Sequence, residues 1–447
     1  MGWRGQGILE RVHSWPTTTL PELPDTPARR EPVRMFDPSR QAVVALTEPG
    51  QQRASMYVCG ITPYDATHLG HAATYVGFDV LNRTWRDMGL EVRYASNVTD
   101  VDDPLLERAN ATGVDWRELA AQQTALYARD MTALEVIAPD FYVAATESIP
   151  AVVEAVEYLL VHNLAYRVPV SETVPAPLTP GAADIYADIQ AIASFGEISH
   201  LDAAAMTKLF ATRGGDPDRP GKRDALDPLL WRAARAGEPH WPGSGLGDGR
   251  PGWHIECAVI ARGTLGDAFD LQGGGRDLVF PHHEMSTAHT SALEGRARDL
   301  APAGARHHTH MGLVAYRGEK MSKSLGNLVL VSRLLESGYE PAAIRVALFN
   351  HRLHQDWEWF DTDMQAAAQR VAWWRTALSG YGGADPLVFL DEARLALRDN
   401  LDTPRALAAM DAWATRTLEL ARDGDDGVAG AAGLVSRGLT ALLGIML

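Results

Sequence analysis

Ser55–Cys59 (SMYVC) is a short apolar run closed by Gly60. Ala72–Met88 follows with apolar residues at helical spacing and Gly89 placed to stop it, and Val92–Ser96 is a second apolar run. Strand, helix and strand in such close succession make a βαβ unit, which commits the chain to a parallel sheet. Ligands of such sheets bind at the carboxyl ends of the strands, where the strand order reverses. Cys59 and its following loop lie there.

Further on, Trp116–Val161 is dominated by helical patterns, and Pro169–Gly181, broken by four prolines, reads as a loop or exposed hairpin. Leu209–Asp248 is turn-rich. The α/β pattern resumes with a helix at Trp253–Arg262, apolar runs at Phe269–Leu271 and Leu278–Phe280, and a helix from His283 to about Leu293. From Leu328 onward the chain reads as helical throughout. The expected fold class is α/β: a doubly wound domain split by an insertion and followed by an all-α end.

At 447 residues the chain exceeds one compact core and suggests two or three packed units. Its apolar stretches Ser55–Tyr64 and Gly438–Leu447 fall short of the ~20 residues that span a bilayer, so no membrane association is expected. The start lacks a secretory apolar run, which predicts a cytoplasmic protein. Formal charge is −16, from 41 basic and 57 acidic residues. That balance removes the default reason to expect a nucleic-acid partner. The most basic stretch, Arg213–Arg235, is interleaved with Asp216, Asp218, Asp224 and Asp227 and reads as a solvated, self-paired surface. The two cysteines, Cys59 and Cys257, read in isolation as small buried hydrophobes.

Two constellations carry chemistry. His68-Leu69-Gly70-His71 opens a helix just after a strand, where free N–H groups and the helix dipole favour anions and two imidazoles add donors. Lys320-Met321-Ser322-Lys323-Ser324, on a glycine-bounded loop, can fold over a pyrophosphate leaving group and stabilise charge that grows in the transition state. Each motif alone is weak. Together, across a split α/β domain, they resemble the paired signatures of class I aminoacyl-tRNA synthetases. That resemblance implies a Rossmann-like catalytic domain and ATP, with Mg2+, bound between the motifs. It also implies attack of an amino-acid carboxylate on the α-phosphorus, with His68, His71, Lys320 and Lys323 as the catalytic residues. The expected division is an extension at 1–40, catalytic halves at 41–115 and 251–315, a connective insertion at 116–250, the KMSKS loop at 316–327 and a helical domain at 328–447.

Cys59 in YVCGITPYD, Cys257 in GWHIEC and His282 in FPHHE offer two thiolates and an imidazole. Zinc on three protein ligands keeps a fourth position open, which a substrate thiol can fill as thiolate. An apolar pocket separates analogues differing by one small group only ~10–200-fold, whereas a metal that demands a thiolate rejects serine far more strongly. The segments MYVCGITPYD, NVTDVDD, GWHIEC and GGGRDLVFPHHE resemble those of cysteinyl-tRNA synthetases and make L-cysteine the expected amino acid. By position, Gly60 and Thr62 would line the cysteine site and Trp253 would pack beside its sulfur. Asn97, Val98 and Thr99, at a strand end, would suit the adenylate. The glycines 273–275 would admit the nucleotide, and Asp277 is available for a ribose hydroxyl or the substrate ammonium. Ile61, Thr74, Gly275, Arg276 and Val314 complete the expected substrate-binding set. Asp100, Asp102 and Asp103 form either a cation site or a capped helix start.

Three features depart from the cysteinyl-tRNA synthetases. Their PHHExE motif carries a further zinc-ligating glutamate where this chain has Ser286, and they tend to carry histidine where it has Gln272. Residues 212–217, TRGGDP, resemble the ERGGDP segment of the actinobacterial mycothiol ligases, which join cysteine to a glucosaminyl-inositol. DLQG, HEMS and HSWP are similar to that family too, with Thr212 and Arg276 as departures. Finally, no anticodon-binding extension follows the helices. The expectation is therefore an ATP-dependent, monomeric ligase that adenylates L-cysteine and passes it to the amine of glucosaminyl-inositol. The alternatives are a cysteinyl-tRNA synthetase and an idle paralogue that only binds cysteine or tRNA.

Overall fold

The computed structural model describes residues 14–64, 66–170, 177–179, 181–321 and 325–447. Lys323, with its neighbours Ser322 and Ser324, and the histidine of HSWP lie outside the described residues.

Five parallel strands form the central sheet: β1 (Arg53–Ile61), β2 (Glu91–Val98), β3 (Phe141–Ala144), β4 (Ala268–Gly275) and β5 (Gly304–Met311), in the order β5-β4-β1-β2-β3. The order reverses between β1 and β4, the crevice where a doubly wound sheet binds ligands. Helix α1 (Leu69–Asp87) crosses from β1 to β2, and Gly89 ends it in the left-handed region at φ 88°. Helices α2 (Trp253–Leu265) and α3 (Glu284–Leu293) flank β4 in sequence.

The insertion builds its own antiparallel sheet from Ala165–Pro169, Ala183–Ala187, Leu229–Ala233 and Gly249–Pro251. The proline-rich stretch is the connection of its first hairpin, with 171–176 and 180 outside the described residues. The expected insertion, 116–250, contains β3, which pairs with β2 in the central sheet. Four residues, FYVA, between two helices leave no alternation to read. The stretch Arg213–Arg235 also differs from a solvated surface. Arg235 is buried and ion-paired with Asp184 at 2.8 Å, and Arg219 reaches the same carboxylate at 3.3 Å. The neighbouring strand supplies Asp184 for these two pairs, while Lys222 pairs with Asp216 inside the stretch at 3.0 Å, as expected.

The C-terminal part is helical except for Trp357–Trp359, which pairs in parallel with Val314–Tyr316. It is fastened to α1 through two buried carboxylates, Asp87, which pairs with Arg394 at 2.7 Å, and Asp79. Asp79 accepts from Arg83 at 2.8 Å, from Arg345 at 2.7 Å and from the Ile137 amide at 2.9 Å. Arg345 also donates to the carbonyls of Leu443 and Leu134. Burying these charges is tolerable only because each is paired and hydrogen-bonded. Among the described residues, no helix is long and apolar enough to cross a membrane.

Candidate active site

The pairing of β1 with β2 is irregular between Val58 and Ile61, which is where Cys59 and Gly60 sit. Asn97 holds this kink: its Oδ1 accepts from the Gly60 amide at 2.8 Å and from Tyr57 Oη at 3.0 Å, and its Nδ2 donates to Thr99 Oγ1 at 3.1 Å. A Cβ on residue 60 would stand 1.6 Å from the Asn97 carbonyl oxygen, so only glycine fits. The kink turns Cys59 toward α2 and the segment preceding α3.

Among the described residues, the sulfurs of Cys59 and Cys257 and a ring nitrogen of His282 lie within 4.8 Å of one another, all buried. His282 Nδ1 faces His254 Nδ1 at 3.0 Å, while its Nε2 is buried without a hydrogen-bond partner. A buried ring nitrogen left this way is costly, and a metal would satisfy it. The Cys59 sulfur, then burial, push the Cys257 thiol up, so two thiolates at this spacing require a cation. The donor set therefore fits a metal. Its outer contacts are equally specific. Cys59 Sγ is 3.2 Å from His283 Nε2, and His283 Nδ1 is 2.7 Å from His310 Nε2. Trp253 stacks on His282 at 4.2 Å.

The two departures from the synthetase pattern turn out to be one compensated pair. Gln272 Nε2 donates to Ser286 Oγ at 3.1 Å, and Thr287 Oγ1 donates to Gln272 Oε1 at 3.3 Å. Ser286 is thus engaged away from the thiols, and among the described residues three donors close on this point. Glu284 is committed elsewhere, its carboxylate accepting from the amides of Gly196 and Ser199 at 2.8 and 2.7 Å.

Through Cys59 the group reaches a cavity of about 420 Å3 at the strand ends. Cys59, Gly60, Ile61 and Thr62 form one wall, and His68, His71 and Thr74 a second. Trp253, Gly275 and Asp277 line a third side, and Val314 and Lys320 close it. The histidine motif is explained by its position. His68 is the residue before α1, and its Nδ1 accepts from the Gly70 amide at 3.0 Å. Burial, then His71 and Lys320, push its pKa down to about 2, so the ring is neutral and Nε2 is its free donor. His71 stacks on it at 3.8 Å.

Lys320 Nζ donates to Asp277 Oδ2 at 2.8 Å. Burial works against ionising Asp277, but the Lys320 ammonium and Arg213 outweigh it, and its pKa falls below the usual carboxylate range. Arg213, the arginine of TRGGDP, donates to the carbonyls of Asp277 (2.5 Å) and Phe280. One side chain of the insertion thereby clamps the segment that carries both Asp277 and His282.

Not every expected residue reaches this cavity. Asn97, Val98 and Thr99 shape the strand end behind it, with the Thr99 amide donating to the Ile61 carbonyl at 2.9 Å. Arg276 turns outward, to the His354 carbonyl at 2.9 Å and Asp356 at 3.2 Å. Of the three glycines only Gly275 lines the cavity. A Cβ at Gly273 would meet Phe78 of α1, and one at Gly274 would meet Leu278 and His283, so these two serve helix and histidine packing. Of the two readings of the aspartates, the capped helix is the one realised. Asp102 caps Asp103–Thr112, Asp100 accepts from Thr146, and Asp103 pairs with Arg250. The roles of Arg213, His254, His283 and His310 were not read from the sequence. The doublets His282-His283 and Trp253-His254 hint at two of them. Arg213 and His310 come from elements whose approach no local pattern encodes.

Residues 46–369 match the family model described as "tRNA synthetases class I (C) catalytic domain". The chain is 56% identical over 434 residues to a Sanguibacter keddieii protein named L-cysteine:1D-myo-inositol 2-amino-2-deoxy-alpha-D-glucopyranoside ligase, covering 97% of this chain and 100% of that one. A Cellulomonas flavigena protein of the same name is 58% identical, with 97% and 99% covered. Among solved structures, a Mycobacterium tuberculosis methionyl-tRNA synthetase bound by methionyl-adenylate superposes with a TM-score of 0.58 at 16% identity, covering 88% of this chain and 92% of that one.

Proposed function

Because this chain belongs to the class I aminoacyl-tRNA synthetase family and, within it, to the L-cysteine:1D-myo-inositol 2-amino-2-deoxy-alpha-D-glucopyranoside ligases, we propose that it joins L-cysteine to the amine of glucosaminyl-inositol at the expense of ATP, a step of mycothiol biosynthesis. The observation that carries the reading is one of placement. A thiol–thiol–imidazole group suited to a metal reaches, through Cys59, the same cavity as neutral His68, its stacked neighbour His71 and the Lys320–Asp277 ion pair.

In the first half-reaction a carboxylate oxygen of cysteine attacks the α-phosphorus of Mg2+-bound ATP. The α–β phosphoanhydride breaks, giving cysteinyl-AMP and pyrophosphate. Neutral His68 offers its Nε2–H, and Lys320, with Lys323, follows the charge that moves onto the leaving pyrophosphate. Asp277, held ionised, suits the substrate ammonium. A carboxylate so held is a poor proton acceptor, which removes it as the base for the second step. In that step the neutral amine attacks the acyl carbon, expels AMP and loses a proton.

Cys59, Cys257 and His282 would hold zinc. When bound, zinc would supply selectivity, since three protein ligands leave a position that a thiolate fills well and a hydroxyl poorly. Trp253, stacked on His282, walls the site on the substrate side.

The test is ATP–pyrophosphate exchange with cysteine or serine, together with metal content. Exchange driven by cysteine alone is expected, with one zinc per chain lost in Cys59→Ala. Zinc retained in that variant, or equal exchange with serine, contradicts the proposal.

A further inference from the structure

The second half-reaction requires a seat for a two-ring polyol beside the adenylate, and the cavity lined by Cys59, His68 and Lys320 already has cysteine and ATP to hold. A second cavity, of about 740 Å3, opens at the carboxyl ends of the neighbouring strands β2 and β3. We propose that this second cavity binds the sugar–inositol acceptor, with Trp116 and Trp241 as its aromatic walls. The proposal rests on the ligase reading above and assigns that reaction's second substrate a site.

Position is the first argument. Val98 lines the second cavity and Ile61 the first, and the two residues are direct partners across β1 and β2. Partner residues of adjacent strands point to the same face, about 4.8 Å apart. Tyr64 links the two through packing. It lines the adenylation cavity and packs with Trp116 against the cluster of Leu105, Leu119 and Ala120, of which Ala120 lines the second cavity. The two cavities thus lie side by side along the strand ends, with Ile61 and Val98 as neighbouring lining residues.

Chemistry is the second. Trp116 opens the helix Trp116–Ala133, while Trp241 comes from the insertion, where its backbone pairs with Gly249. The two indoles meet edge to face at 6.2 Å, and the Arg117 guanidinium, which also lines the cavity, lies over the Trp116 ring at 4.4 Å. Pyranose and inositol rings present flat C–H faces that indole planes accept, and a rim of hydroxyls that needs donors and acceptors. Asp100 and Thr146 meet that need from the strand ends, and Thr124 from the helix. Asp100 is preset by the Thr146 amide and hydroxyl at 2.9 and 2.6 Å. Alanines on the same helical face keep the floor low. The volume falls within the ~300–1,000 Å3 typical of small-molecule sites.

The two half-reactions separate the outcomes. Thr124→Gln narrows the cavity from a half-buried helix position, and Trp241→Leu removes one ring. Cysteine-dependent ATP–pyrophosphate exchange should stay within twofold of the parent in both variants, while the KM for glucosaminyl-inositol in amide formation rises about tenfold or more. An unchanged acceptor KM in both variants overturns the proposal. So does parallel loss of exchange and transfer, which would place these residues in the adenylation site. If the parent itself supports no cysteine-dependent exchange, the underlying ligase reading fails instead.

Discussion

Gly60→Ala probes the joint between backbone geometry and chemistry. The added Cβ would lie 1.6 Å from the Asn97 carbonyl oxygen, where ordinary contact begins at 3.4 Å. Neither partner is a flexible side-chain end, so the tips of β1 and β2 must separate by about 2 Å in a close-packed interior. The Gly60 amide bond to Asn97 Oδ1 would be lost with that movement, and Cys59, one residue away, would shift with it. Overpacking of this kind costs about 1–3 kcal/mol in stability. Displacing a substrate-positioning group by about 1 Å costs on the order of 10²-fold in rate. The expected result is a fall of about 10²-fold in kcat/KM for cysteine-dependent exchange, with weakened zinc retention. Gly433→Ala is the control, since its Cβ would meet nothing closer than Arg437 Nη1 at 3.7 Å. Exchange by Gly60→Ala within threefold of the parent would refute the argument that the kink sets the site.

Other perturbations follow from the charges. Burial pushes His289 and His310 down to about 3 and His308 to about 4, so the folded chain leaves them neutral where the unfolded chain protonates them near 6.5. Their stabilisation is complete above that pH and declines below it, by roughly 1 kcal/mol each between pH 6.5 and 5.5, while Asp102 and Asp130, raised to about 6 by burial, act in the opposite sense; His289→Gln should therefore lose less stability than the parent over that window in denaturant titrations, and an equal loss would contradict it. In Lys320→Met, burial of Asp277 loses its main counterweight, so Asp277 should protonate at higher pH than in the parent. The KM for cysteine should then rise earlier as pH falls, and a superimposable pH profile would argue against the ammonium role. Arg213→Ala removes a charged donor whose Nη1 serves two carbonyls, each bond worth about 1.5–3 kcal/mol; exchange should drop by at least about tenfold, and Arg213→Lys, with its ammonium on a shorter stem, should not restore it. Full rescue by lysine would reduce the clamp to a simple charge effect.

Much of this was legible in the sequence because it is local. The βαβ unit, the histidine motif opening α1 and the stop at Gly89 all depend on residues adjacent in the chain. The three metal-apt donors were legible through their motifs, although they come from three separate elements. What stayed hidden depends on tertiary approach. Strand β3 is too short to show a period. Arg213 sits in a stretch that reads as self-paired until strands of the insertion claim its neighbours and the site claims its guanidinium. Gln272 and Ser286 look like two losses from the synthetase pattern until their hydrogen bond makes them one substitution. The outward turn of Arg276 follows from the placement of His354 and Asp356, which no reading of GGGRD contains.

The central claim is the identity of the acceptor. The direct measurement supplies zinc, Mg2+, ATP and cysteine, offers either glucosaminyl-inositol or cysteine tRNA, and follows AMP release and product mass. The account predicts AMP formation with glucosaminyl-inositol and a product heavier by one cysteinyl residue, with no charging of the tRNA. Cysteine found on the tRNA, and none on the sugar, would contradict it.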